Sequence, residues 1–193
     1  MKYNSNSLIE SLLADVRELI LEAEQLKALP ASVMHLQPKA HQWSVAQVLE
    51  HLNIYSRFYI NAIEQKLHLN QSDPNTDFTP GWLGNYFTNL MKPGADKRIT
   101  KKMKAPKNAV PSAQPDAQKM LEEFINHQHH LLNLLQIAKT ANLDYNRIPT
   151  SLSKLISLKL GDTFRFFIAH EQRHFVQISN VMKALHPAHS MAA

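Results

Sequence analysis

Asp162-Thr-Phe-Arg-Phe-Phe-Ile-Ala-His170-Glu-Gln-Arg-His174-Phe-Val-Gln-Ile-Ser-Asn-Val-Met-Lys-Ala-Leu185 is the stretch from which the chain is best read. Apolar residues recur at positions 164, 167, 168, 175, 178, 181, 182 and 185, the three-and-four spacing of an amphipathic helix. At about 100° per residue, His170 and His174 fall about 40° apart, on the flank of that stripe. Two imidazoles one turn apart can converge on one metal ion. Two ligands make a weak site, so the reading turns on whether there is a third.

Working outward, prolines at 30, 38, 74, 80, 93, 106, 111, 115, 149 and 187 leave four long segments free of helix breakers: 1–29, 39–73, 116–148 and 150–186. Each carries helical periodicity, which predicts an all-α, four-helix bundle forming a single domain over 1–193. With only 4 glycines in 193 residues, composition favours helix over strand.

The first helix is expected over 7–29, with a stripe from Leu8 to Leu26 and no site residue. The linker 30–42 holds His35 and His41, expected to be solvated. Ser44-Val-Ala-Gln47 is a capping box that starts the second helix, with Trp43 placed to staple onto Val48. Its buried stripe is Val45, Val48, Leu49, Leu52, Tyr55, Tyr59, Ile63 and Leu67. His51 lies about 110° from the centre of that stripe, a flank position matching those of His170 and His174. It is the candidate third ligand.

Periodicity fails between about 70 and 115, which predicts a long, partly irregular connection between helices two and three, with a short helix ending near Met91. The third helix is expected to be capped by Asp116 and to run to about Ala141, with Ile137 in its stripe. A short helical piece is expected over 151–158. Gly161-Asp162 then reads as a break, with Asp162 capping the last helix.

Three half-buried histidines can also be ordinary hydrogen-bonded residues of a bundle interior. The matched flanks favour a metal, and three neutral imidazoles leave coordination positions open, as in catalytic zinc sites. Imidazole also suits nickel, iron or copper. In the rival cluster Asn126-His-Gln-His-His130, only His127 and His130 share a side. Glu171 points away from its neighbour His170 and is not expected to be a ligand. Arg173 and Gln177 are better placed to orient the ligands. Gln47 is explained by the capping box.

The formal charge of +5 is local, arising from Lys92, Lys97, Arg98, Lys101, Lys102, Lys104 and Lys107, opposed there only by Asp96. Bases and aromatics are segregated across 78–107, so nucleic acid is not expected. Recruitment of a small anionic cofactor by Lys101, Lys102 and Lys104 fits better. No apolar run is long enough to span a membrane, and the N-terminal stretch lacks a signal-peptide core. There is no cysteine, which excludes a thiolate ligand or nucleophile and leads to the expectation of a cytoplasmic protein.

Trp43-Ser-Val-Ala-Gln-Val-Leu-Glu-His51-Leu, followed by His170-Glu-Gln-Arg-His174-Phe-Val-Gln177-Ile, resembles the DinB-like (YfiT-like, damage-inducible) superfamily of metal-binding four-helix bundles. The resemblance covers nearly the whole chain in order and spacing. It implies an up-down-down-up bundle, a homodimer, and one divalent metal on His51, His170 and His174. Many relatives have Glu where this chain has Gln47. Some members resemble thiol S-transferases, and others metal-dependent hydrolases or isomerases. The leading expectation is transfer of a low-molecular-weight thiol to a small-molecule electrophile, with zinc or nickel as the metal. The alternatives are a hydrolase using metal-bound hydroxide and a non-catalytic metal-binding stress-response bundle.

Overall fold

The computed structural model describes residues 2–69, 73–94, 96, 98–99, 103–151 and 153–185. Four long helices carry the core: α1 (Ser5–Leu26), α3 (Val45–His68), α5 (Ala117–Ala138) and α6 (Leu160–Leu185). Two shorter ones, α2 (Ala31–Met34) and α4 (Trp82–Met91), lie in the connections. Each long helix buries one apolar face in a single core that includes Leu13, Val16, Leu49, Ile63, Leu121, Phe124, Phe164 and Phe167. Ile137, expected in the stripe of α5, is instead 48% exposed, because the buried stripe there runs through Leu131, Leu134, Leu135 and Ala138 and position 137 falls outside it.

Helix starts follow local chemistry. Asn4 accepts from the Ser7 N–H at 3.0 Å and Asp116 from the Lys119 N–H at 3.1 Å. At α3 the capping box is complete, Ser44 and Gln47 each accepting from the other's backbone N–H.

Helix α3 packs against α5 and α6, and so does α1. Three ties join α3 to α5: Asn53 Nδ2 donates to the Met120 carbonyl at 2.8 Å, Arg57 pairs with Glu123 at 2.6 Å, and His130 meets Glu64 at 3.1 Å. Numbers rise together along both helices, so α3 and α5 run in the same direction. A 24-residue helix is about 36 Å long, so the chain must cross back that far before α5 can start. This is the physical reason for the long connection. Along α3 and α6 the order reverses, with His51 beside His174 and Tyr59 beside Phe167.

The connection is pinned at several points. Strand β1 (Tyr3–Asn4) pairs antiparallel with β2 (Asp77–Phe78). Helix α4 docks on α6 through Asp162, whose carboxylate accepts from the Gly81 N–H at 2.8 Å. Arg165 pairs with Asp162 at 3.2 Å and donates to Asn85 and to the Tyr3 hydroxyl, both at 3.1 Å.

Two expectations are corrected here. The segment 151–158 is not helical: β3 (Arg147–Thr150) and β4 (Ser153–Lys159) form an antiparallel hairpin, with Ile148 opposite Leu158 and both buried. Its apolar spacing suits either helix or strand, and pairing with 147–150 decides between them. Asp162 is also not an N-cap, because α6 begins at Leu160 and runs through Gly161. That glycine is where the Phe78 ring packs, and a Cβ would lie 2.7 Å from it.

Candidate metal centre

His51 stands on α3, and His170 and His174 stand one turn apart on the antiparallel α6. Their rings meet with centroids 5.4 Å (His51–His170), 4.6 Å (His51–His174) and 4.6 Å (His170–His174) apart. One nitrogen from each lies within 4.8 Å of the others, so the cluster could hold a metal ion. His51 and His170 are buried, and His174 is half-buried.

Two of the tautomers follow from hydrogen bonding. His51 Nδ1 donates to the Ala109 carbonyl oxygen at 2.6 Å, and His174 Nδ1 donates to Gln177 Oε1 at 2.8 Å. A neutral ring with a proton on Nδ1 keeps its lone pair on Nε2. His170 Nδ1 is buried with no hydrogen-bond partner, a costly state unless something else satisfies it. Two oriented lone pairs and one orphaned imidazole fit a divalent ion well.

Burial lowers the pKa of all three rings. It outweighs the Ala109 bond at His51. At His170 burial acts first and the other two imidazoles and Arg173 add to it, holding the pKa well below the usual histidine range. At His174 burial, reinforced by His51, brings it down to about 3 despite the Gln177 bond. All three are therefore neutral near pH 7, the form that donates to a metal.

Aromatic rings wall the cluster. Trp43 lies 4.9 Å from His51 and 6.5 Å from His174. Tyr55 lies 5.0 Å from His51 and 4.6 Å from His170, and Phe166 lies 6.4 Å from His170. Burial pushes the Tyr55 hydroxyl up to about 12, so it stays protonated. The end of the long connection closes over the start of α3. Ser112 N–H donates to Glu50 at 2.6 Å, and Gln47 Nε2 donates to the Ser112 and Ala113 carbonyls at 3.0 and 3.3 Å. Gln47 thus serves both the capping box and this closure.

The other candidates fall elsewhere. His127 meets Asn53 at 3.2 Å while His130 meets Glu64, so the two do not converge, and no second cluster of metal-ligating groups occurs among the described residues. Glu171 is fully buried, turned from its neighbour toward Gln128 (2.8 Å) and Ser56 (3.5 Å). Burial raises its pKa to about 8. Gln177 orients His174, whereas Arg173 is a buried cation whose pKa is lowered by desolvation. His41 is exposed and His35 half-buried, both away from the cluster. Lys97, Lys101 and Lys102 lie outside the described residues, and Lys104 is exposed. The wall residue Tyr55 and the Ala109 carbonyl were not anticipated as parts of the site. Tyr55 reads as core in the stripe, and a backbone carbonyl 58 residues away leaves no mark in sequence.

The structure is mostly helical, and its three converging histidines could hold a metal ion. The chain is a member of the DinB superfamily, whose family model matches residues 12–178. Comparison with curated proteins and with solved structures finds no match. Among the described residues, no helix is long and apolar enough to cross a membrane.

Proposed function

We propose that the protein is a cytoplasmic, metal-dependent enzyme that transfers a low-molecular-weight thiol to a small-molecule electrophile, with zinc or nickel held by His51, His170 and His174. The observation carrying this reading is the donor set: three buried, neutral imidazoles, two with their tautomers fixed by Ala109 and Gln177. Three neutral ligands leave the ion its full charge and open coordination positions. A divalent ion held there would lower the pKa of a bound thiol. Trp43, Tyr55 and Phe166 limit water around the reacting atoms. The chain has no cysteine, so the sulfur comes from a diffusible thiol.

The same reading includes a single domain, an up-down-down-up bundle and a homodimer. The bundle direction is supported by parallel α3 and α5 and by the reversed order of α3 and α6. It is also supported near the start of α1, where Tyr3 meets Arg165 at the start of α6 and Glu10 meets Lys139 at the end of α5.

The test is loss of a chlorodinitrobenzene electrophile by zinc- or nickel-loaded protein, with and without added thiol. In transfer the S–C bond forms, chloride leaves with its bonding pair, and the thiol proton passes to solvent. Thiol-dependent loss is expected. Thiol-independent turnover would replace transfer by hydrolysis at the same centre, and inertness in both arms would leave a metal-binding bundle without catalysis.

A further inference from the structure

Beside Tyr55 lies a cavity of about 420 Å³ whose described lining includes none of the three histidines. Helix α3 supplies one wall with Ile54, Tyr55 and Phe58. Asn108 and Ala109 close a second side, and Ser151 and Ser153 of the hairpin turn close a third. The size falls in the range of small-molecule sites, roughly 300–1,000 Å³.

Two links couple this cavity to the histidine cluster. Tyr55 is a shared partition, its ring 5.0 Å from His51 and 4.6 Å from His170. Ala109 lines the cavity while its carbonyl holds His51 at 2.6 Å. The hairpin wall is fixed as well, because the Tyr59 hydroxyl accepts from the Ser151 N–H at 3.1 Å and lies 3.3 Å from its Oγ. The chemistry of the lining is distinctive. Among the described residues it contains aliphatic and aromatic surface, hydroxyls and one amide, and no charged side chain. Among these described groups neither an anionic nor a cationic ligand finds a counter-charge to offset its desolvation.

We infer that this cavity binds an uncharged organic molecule with an apolar, ring-sized body and a hydrogen-bonding group, and that Tyr55 sets the boundary between it and the metal centre. With Tyr55 between the two, the occupant is a ligand held beside the histidine cluster and not the molecule that reacts there, so the inference stands without the transferase reading. The apolar body packs on Ile54 and Phe58. The polar group meets Asn108 and the turn hydroxyls at the rim.

The experiment uses three isosteric probes on the full-length protein, benzamide, benzoate and benzylammonium, followed by amide chemical shifts at residues 54, 58, 151 and 153. Benzamide is expected to give saturable shifts there, with the two charged probes at least about tenfold weaker. Ile54→Trp fills the cavity from α3 and should weaken benzamide at least about tenfold while zinc content stays at the wild-type level. If that variant does not fold, Asn108→Trp at the exposed rim makes the same test. Equal or tighter binding of a charged probe, no saturable shift with benzamide, or undiminished binding in the filled variant overturns the inference. Zinc measured on the same samples separates the two readings. A zinc-loaded protein that ignores benzamide refutes the cavity assignment alone, and a protein that binds benzamide but holds no zinc refutes the metal assignment alone.

Discussion

His51 Nδ1 donates to the carbonyl oxygen of Ala109 at 2.6 Å, joining a helix of the core to the far end of the connection that crosses over it. The bond spans 58 residues and makes the long connection part of the site. It fixes the ring's tautomer and rotation, and leaves the lone pair on Nε2. Gln177 does the same for His174 from within α6.

Metal content tests the histidine assignment most directly. Substituting His51, His170 or His174 with Ala should lower zinc or nickel content sharply, since two imidazoles hold an ion poorly. His127→Ala and His130→Ala should leave it nearly unchanged, because those rings bond Asn53 and Glu64. Elemental analysis after reloading provides the readout. Full occupancy in His170→Ala and His174→Ala would exclude the site.

Gln177→Ala should weaken metal binding about 10–100-fold with the ligands intact, because it removes only the group orienting His174. Competition against a zinc chelator measures this. An unchanged affinity would make the Gln177 bond incidental.

The pH response follows from burial. Unpaired histidine titrates near 6.5, but in the folded, metal-free protein His174 titrates at about 3 and His51 and His170 are also lowered. The unfolded chain therefore binds protons first. Stability contributed by these neutral rings is fully present above about pH 6.5 and is lost as pH falls toward the folded values. Denaturant melts of metal-free protein should show a midpoint that declines below about pH 6.5, with a shallower decline in His174→Ala. Protons should compete with metal only well below the pH range of exposed histidines.

Glu171 has the opposite sign. Its pKa rises from 4.5 to about 8 on folding, so its favourable contribution is full below about pH 4.5 and is lost as pH rises through 8. Glu171→Gln mimics the neutral acid. It should raise stability relative to wild type by on the order of a few kcal/mol near pH 8.5, and the gain should shrink toward pH 4.5. A gain independent of pH would show that the carboxyl does not titrate in this way.

Gly84 is crowded against Asp162, where an added Cβ would lie 2.2 Å from the carboxylate carbon. Gly84→Ala should cost about 1–3 kcal/mol or more and loosen α4 from α6, despite the helix-propensity gain of about 1 kcal/mol. Thermal melts and amide exchange over 82–91 check this. A stabilised variant would mean that α4 is not held against Asp162.

The sequence by itself determined the long helices, two of their caps and the faces they bury, because the 3.6-residue period and the Ser44–Gln47 and Asp116 caps are local properties. The same periodicity placed His51, His170 and His174 on flanks that meet when α3 and α6 pack antiparallel. Tertiary structure decided what local spacing leaves ambiguous. It made 153–159 a strand through its pairing with 147–150, and it carried α6 through Gly161 so that Asp162 anchors α4. It also fixed the His51 tautomer and the cavity beside Tyr55, whose defining partners lie 50 to 100 residues apart along the chain. Contacts at that separation have no period to read, and only the packed chain brings them together.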